Sequence, residues 1–182
     1  MIEELLKKEK HTNMDPYVNV AKNALEAFVR EGKIIDVPDD LPAEMIRDSA
    51  GTFVSIKKDG ELRGCIGTIS PTMPNIALEI IQNAISSGTQ DPRFDEVNES
   101  ELNSLTYSVD VLKDPEPVNS MEELDAARYG VIVRSGRRSG LLLPNLEGVD
   151  TPLEQISIAL RKAGINPKSE FSIERFEVIR HK

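Results

Sequence analysis

The stretch Glu61-Leu62-Arg63-Gly64-Cys65-Ile66-Gly67-Thr68-Ile69 holds the single cysteine of the chain, a cation inside an apolar run, and two glycines. It has the composition of a β-strand and departs from strand preferences at three places. Such departures concentrate where a backbone or ligand comes close or where chemistry is done. The preceding run, Thr52 to Lys57, is a second strand. Lys58-Asp59-Gly60 joins them, and Asp-Gly is a strong signal for a hairpin turn. Strict alternation puts Leu62, Gly64, Ile66 and Thr68 on one face, and Arg63, Cys65, Gly67 and Ile69 on the other. Gly64 and Gly67 then admit another backbone or a ligand. On this reading Arg63 stands beside Cys65, and a cation near a thiol favours the thiolate. Two uses of Cys65 follow: a small buried core residue, or a nucleophile. Against the nucleophile, His11 and His181 both lie near the termini, so no paired base is visible. Arg63 reads either as an ion-pair or surface residue, or as an anion-binding one.

Work outward from this strand finds further motifs: Asp91-Pro92-Arg93-Phe94, Ser108-Val109-Asp110-Val111-Leu112, Tyr129-Gly130-Val131-Ile132-Val133, Gly140-Leu141-Leu142-Leu143-Pro144, Leu146-Glu147-Gly148-Val149-Asp150-Thr151, and Arg175-Phe176-Glu177-Val178. Together with Leu-Arg-Gly-Cys-Ile-Gly-Thr, these resemble the AMMECR1 domain family over about Pro16 to His181. Two departures stand out: Ser86 to Gln90 replaces a segment that usually carries alanines and a basic residue, and Asn145 stands where the family is often acidic. The resemblance implies an α+β fold, an antiparallel sheet flanked by helices with a smaller second lobe. In bacteria and archaea it implies the AmmeMemoRadiSam system protein A type, accompanied by MEMO-like and radical SAM proteins as partners. It implies no settled activity.

The 182 residues carry a formal net charge of −9, with 39% apolar and 29% charged residues. That composition belongs to a globular chain and argues against a general nucleic-acid surface. One cysteine permits no internal disulfide, and no Cys/His spacing suggests a metal site. No apolar run is long enough to span a membrane, and the charged N-terminus lacks a secretory core, so the reading is cytoplasmic. No motif names a cofactor.

Residues 1–14 read as an N-terminal extension, with a short helical turn or a frayed end at 1 to 13, and 15–182 as a single domain of one or two lobes. Asp15-Pro16 starts a helix that Gly32 ends. A turn of helix follows at Pro42 to Arg47. Pro74 opens another helix, whose N-terminus near Thr68 and Thr72 is suited to an anion, or to ordinary capping by Thr72. Gly88 to Asn98 is a loop in which Asp91 and Arg93 bind something or simply make a turn. Leu105 to Leu112 alternates as a strand with Asp110 on its polar face, a candidate partner for Arg63. Asp114 to Pro117 reads as a stiff linker. Ser120 and Glu123 form a capping box for a helix through Ala127. A hairpin loop at Ser135 to Gly140 contains Arg137 and Arg138, which are solvated or bind phosphate. A helix starts at Thr151, and Phe171 to Ile179 forms one final strand. The predicted cleft is lined by the strand of Arg63 and Cys65 and reached by Asp91, Arg93 and Glu147.

Three functions remain open. An accessory or binding domain would use Arg63, Gly64, Gly67, Thr68, Asp91, Arg93 and Glu147 for an anionic small molecule, a peptide or a partner. A cysteine-dependent enzyme would use Cys65 as nucleophile, with Asp110 or Glu147 managing protons. RNA or nucleotide binding would use the arginine-bearing hairpin, against the overall acidity.

Overall fold

Asp15 opens helix α1 (Pro16–Glu31) by accepting the backbone N–H groups of Tyr17 and Val18, and Gly32 closes it at a φ of 65°. The computed structural model describes residues 14–182; the expected turn at 1 to 13 lies outside them. The chain divides into two units, the first running to Val111 and including Arg180–Lys182, the second spanning Leu112–Ile179.

In the first unit, α1 is followed by the short α2 (Ala43–Arg47) and by a hairpin of β1 (Thr52–Lys58) and β2 (Glu61–Gly67). Asp59 and Gly60 both take positive φ, 51° and 79°, as the Asp-Gly signal predicts. Helix α3 (Ile76–Thr89) begins two residues later than predicted: Asn75, not Pro74, opens it, accepting the Leu78 N–H at 2.9 Å. After a capped 3₁₀ turn at Glu99–Ser104 comes β3 (Leu105–Leu112), as expected. The core of this unit is packed from α1, α3 and the sheet, with Ala21, Ala24, Val54, Ile56, Ile80 and Val109 among its buried residues.

In the second unit, Glu116–Pro117 is not a bare linker but a two-residue edge strand, β4; proline is tolerated there because an edge strand leaves one side unpaired. The predicted helix through Ala127 is a single 3₁₀ turn, Met121–Glu123, although its Ser120–Glu123 capping box forms. Leu124 and Ala126 instead turn inward at alternate positions, a burial pattern that a helix does not provide. Strands β5 (Gly130–Ser135) and β6 (Arg138–Leu142) meet at a two-residue turn, tighter than the predicted loop. Helix α4 (Pro152–Ala163) starts at Thr151 and stops at Gly164 as read from the sequence.

The final alternating segment is two strands, β7 (Ser172–Phe176) and β8 (Val178–His181). They belong to different sheets, with strand orders β2-β1-β3-β8 and β4-β7-β5-β6. The break falls at Glu177, just before Ile179, where the alternation slips. The resolved pairings within both sheets are antiparallel, so the architecture is α+β with antiparallel sheets and flanking helices.

Candidate functional site

The pairing of β1 with β2 changes register between Ile56 and Lys57: Lys57 faces Leu62, but Ile56 faces Gly64. Arg63 is therefore the extra residue of a bulge. A bulge breaks the two-residue alternation. Leu62 and Gly64 consequently fall on opposite faces, Leu62 on that of Cys65, and the expected strict alternation along the strand is corrected. The Arg63 guanidinium donates from Nε and Nη2 to Glu101 at 3.0 and 3.1 Å, and from Nη1 to the Asp95 carbonyl at 2.8 Å. Lys58 shares the same carboxylate at 3.1 Å. The hydrogen bonds from Arg63 hold Glu101 at about 2, below its ordinary value. Arg63 thus anchors the loop before β3.

Gly64 faces α3. A Cβ there would lie 3.0 Å from the Ser87 carbonyl carbon and closer still to its oxygen. Gly67 lies equally close to the Phe53 ring and the Thr52 carbonyl. What approaches both glycines is protein.

Helix α3 also carries a polar stripe that the sequence reading passed over: Glu79, Asn83 and Ser87, spaced by four and all buried. That spacing in an otherwise apolar helix was the available signal. Glu79 accepts hydrogen bonds from Thr68 Oγ1 at 2.6 Å, Thr72 Oγ1 at 2.9 Å, and the N–H groups of Thr72 and Met73. Asn83 donates to the Thr52 carbonyl and to the hydroxyls of Thr52 and Thr68. The Ser87 hydroxyl donates to the Val54 carbonyl at 2.8 Å and accepts the Ile66 N–H. The site that the sequence offered to an anion near Thr68 and Thr72 is thus filled by the helix's own Glu79.

Cys65 lies on the other face of the sheet, in register with Ser55, which is in turn in register with Ser108. Cys65 Sγ is 3.2 Å from Ser55 Oγ. Its N–H, on the edge strand β2, donates to Asp91 Oδ2 at 3.0 Å. Asp91 also accepts from Arg93 Nε at 3.0 Å, Arg93 Nη2 at 2.8 Å and the Arg93 N–H at 3.1 Å. The Arg93 side-chain bonds hold Asp91 at about 2 against the upward push of burial. Phe94 lies under Arg93 and Arg63, with their guanidinium carbons 5.5 and 5.9 Å from its ring centre.

Asp110 is buried, and its partner is Arg180, not the expected Arg63; Arg180 donates from Nε and Nη2 at 2.7 and 2.8 Å. Arg93 is pushed upward first by its bond to Asp91 and Arg180 first by its bond to Asp110, and the charge of Cys65 adds to both. Both guanidiniums therefore lie within electrostatic reach of the thiol.

Of the residues singled out, Cys65, Asp91, Arg93 and Asp110 gather around this face. Gly64 and Thr68 serve the packing beneath it, Arg63 anchors the loop before β3, and Gly67 lies on the Cys65 face itself, against the Phe53 ring. Glu147 belongs to the second unit, exposed on the loop before α4. His181 has its Nδ1 2.8 Å from Asp15 Oδ2 and its ring stacked on Tyr17, with centroids 3.8 Å apart. In the hairpin of the second unit, Arg134 pairs with Glu174 at 2.7 Å, and Arg138 donates to the Gly164 carbonyl. Among the described residues, no group of three or more His, Cys, Asp or Glu side chains is placed to hold a metal ion, and no helix is long and apolar enough to cross a membrane.

A family model described as AMMECR1 matches residues 18–181. The chain belongs to the AMMECR1 family. A protein of Thermotoga maritima is 52% identical over 170 residues, covering 92% of this chain and 97% of that protein. Protein CA_C1420 of Clostridium acetobutylicum is 52% identical over 174 residues, which cover 95% of this AMMECR1-family chain but only 37% of that longer protein. The crystal structure of uncharacterized protein PH0010 from Pyrococcus horikoshii superposes with a TM-score of 0.80 at 30% identity, covering 90% of this chain and 88% of that one.

Proposed function

We propose that this AMMECR1-family chain is an accessory binding domain whose recognition site is the sheet face around Cys65, and that the site receives an anionic group on a small molecule or peptide. The observation that carries this reading is the shared Asp91 carboxylate, which takes the Cys65 N–H and one edge of the Arg93 guanidinium. A guanidinium has five N–H donors. The other edge of Arg93, on a side chain 54% exposed, is left for a carboxylate or phosphate. Ser55 and Cys65 supply neutral polar contacts beside it. Cytoplasmic placement completes the proposal, as does action with MEMO-like and radical SAM partners, which rests on the family resemblance alone.

A second reading, Cys65 as a nucleophile, is favoured by the reach of two arginines to the thiol. Among the described residues its candidate bases are engaged: Arg180 holds both oxygens of Asp110, and Asp15 and Tyr17 hold His181. Binding is therefore the reading we prefer. The test is alkylation of Cys65 by iodoacetamide with and without inorganic phosphate at matched ionic strength. Saturable protection that is lost in Arg93→Ala supports binding. Rapid alkylation at neutral pH without protection by phosphate favours the nucleophile.

A further inference from the structure

On the opposite face of β3, where Tyr107 points toward α1 rather than toward the Cys65 side, the first unit has a pocket of about 390 Å³. This is within the range of about 300–1,000 Å³ usual for small-molecule sites. Val18, Leu105 and Met14 give it an apolar lining, and Lys22 and Lys182 stand in its wall. Neither ammonium has a hydrogen-bond or ion-pair partner among the described residues. The acid in the lining, Asp15, is committed: Oδ1 caps α1 and Oδ2 meets His181. Two cations unpaired among the described residues, in one pocket, run against a chain whose net charge is −9. Tyr107, 8% exposed, closes the wall on the sheet side.

We propose that this pocket binds a small amphiphilic anion, with an apolar body against Val18 and Leu105 and a carboxylate or phosphate head at Lys22 and Lys182. The occupant is distinct from the ligand of the Cys65 face, because it needs an apolar body as well as a charge.

The test is calorimetric titration of the full chain with octanoate and octyl phosphate, using octanol and inorganic phosphate as the two halves of the ligand. Saturable binding of either amphiphile, with each half binding far more weakly, is the expected result; which head group binds more tightly identifies the carboxylate or the phosphate as the natural one. Lys22→Ala and Lys182→Ala are each expected to weaken binding roughly tenfold, the size of one charge-assisted hydrogen bond. Arg93→Ala should leave the affinity unchanged. Amphiphiles that bind no better than octanol, affinity unaltered by both lysine substitutions, or loss of binding in Arg93→Ala would each overturn the proposal.

Discussion

Gly64→Ala separates a packing glycine from one that leaves room for a ligand. Gly64 does not have a positive φ, so a cost cannot come from backbone strain. It must come from the approach of α3, whose Ser87 carbonyl occupies the place of a side chain. Restoring van der Waals separation requires the helix backbone to retreat by about 1 Å or more. Overpacking of this kind costs about 1–3 kcal/mol. The retreat also stretches the two hydrogen bonds that Ser87 makes to Val54 and Ile66, each contributing about 1 kcal/mol. The sum is about 3–5 kcal/mol, or roughly 6–20 °C in Tm for a chain of this length. Gly60→Ala is the control: its φ is 79° and nothing lies within 4 Å, so its cost is only the left-handed backbone, about 1–2 kcal/mol. Both variants are measured by urea denaturation followed by circular dichroism. A Gly64→Ala protein within about 0.5 kcal/mol of wild type, or one less damaged than Gly60→Ala, would refute the reasoning.

Arg63→Ala should lower stability by about 2 kcal/mol, since it breaks charge-assisted bonds to Glu101. It should leave the alkylation rate of Cys65 unchanged, because the cations in reach of the thiol are Arg93 and Arg180; a slower rate, measured by mass spectrometry, would return Arg63 to the site. The stability contributed by Asp91 and Glu101 is fully present above their ordinary values of 3.8 and 4.5 and is lost as pH falls toward about 2, since both are depressed in the folded chain. Urea midpoints should therefore fall across that window. Glu101→Gln should flatten the fall, and an unaltered slope would contradict the assignment.

Most elements were legible because local chemistry announced them. Asp15-Pro16, Asp59-Gly60 and Thr151-Pro152 set helix starts and a turn, and β3 alternated cleanly. What was lost depended on long-range geometry. The bulge at Arg63 has no local signal, yet it puts Leu62 and Gly64 on opposite faces, and the Arg63 partners Glu101 and Asp95 lie more than thirty residues away in sequence. Arg180 sits at the far end of the chain, so its pairing with Asp110 could not be read from either strand alone. Glu79, Asn83 and Ser87 were visible as a stripe, but their partners on β1 and β2 were not. Cys65, Asp91, Arg93 and Asp110 were named from the sequence. Their sorting into a face, and of Gly64 and Thr68 into the packing beneath it, required the fold.

The most direct test of the binding site is the rate of Cys65 alkylation by iodoacetamide as inorganic phosphate replaces sodium chloride at constant ionic strength. The account predicts a saturable fall in rate for the wild-type chain and none in Arg93→Ala. A wild-type rate identical in the two salts would contradict an anion site beside the thiol.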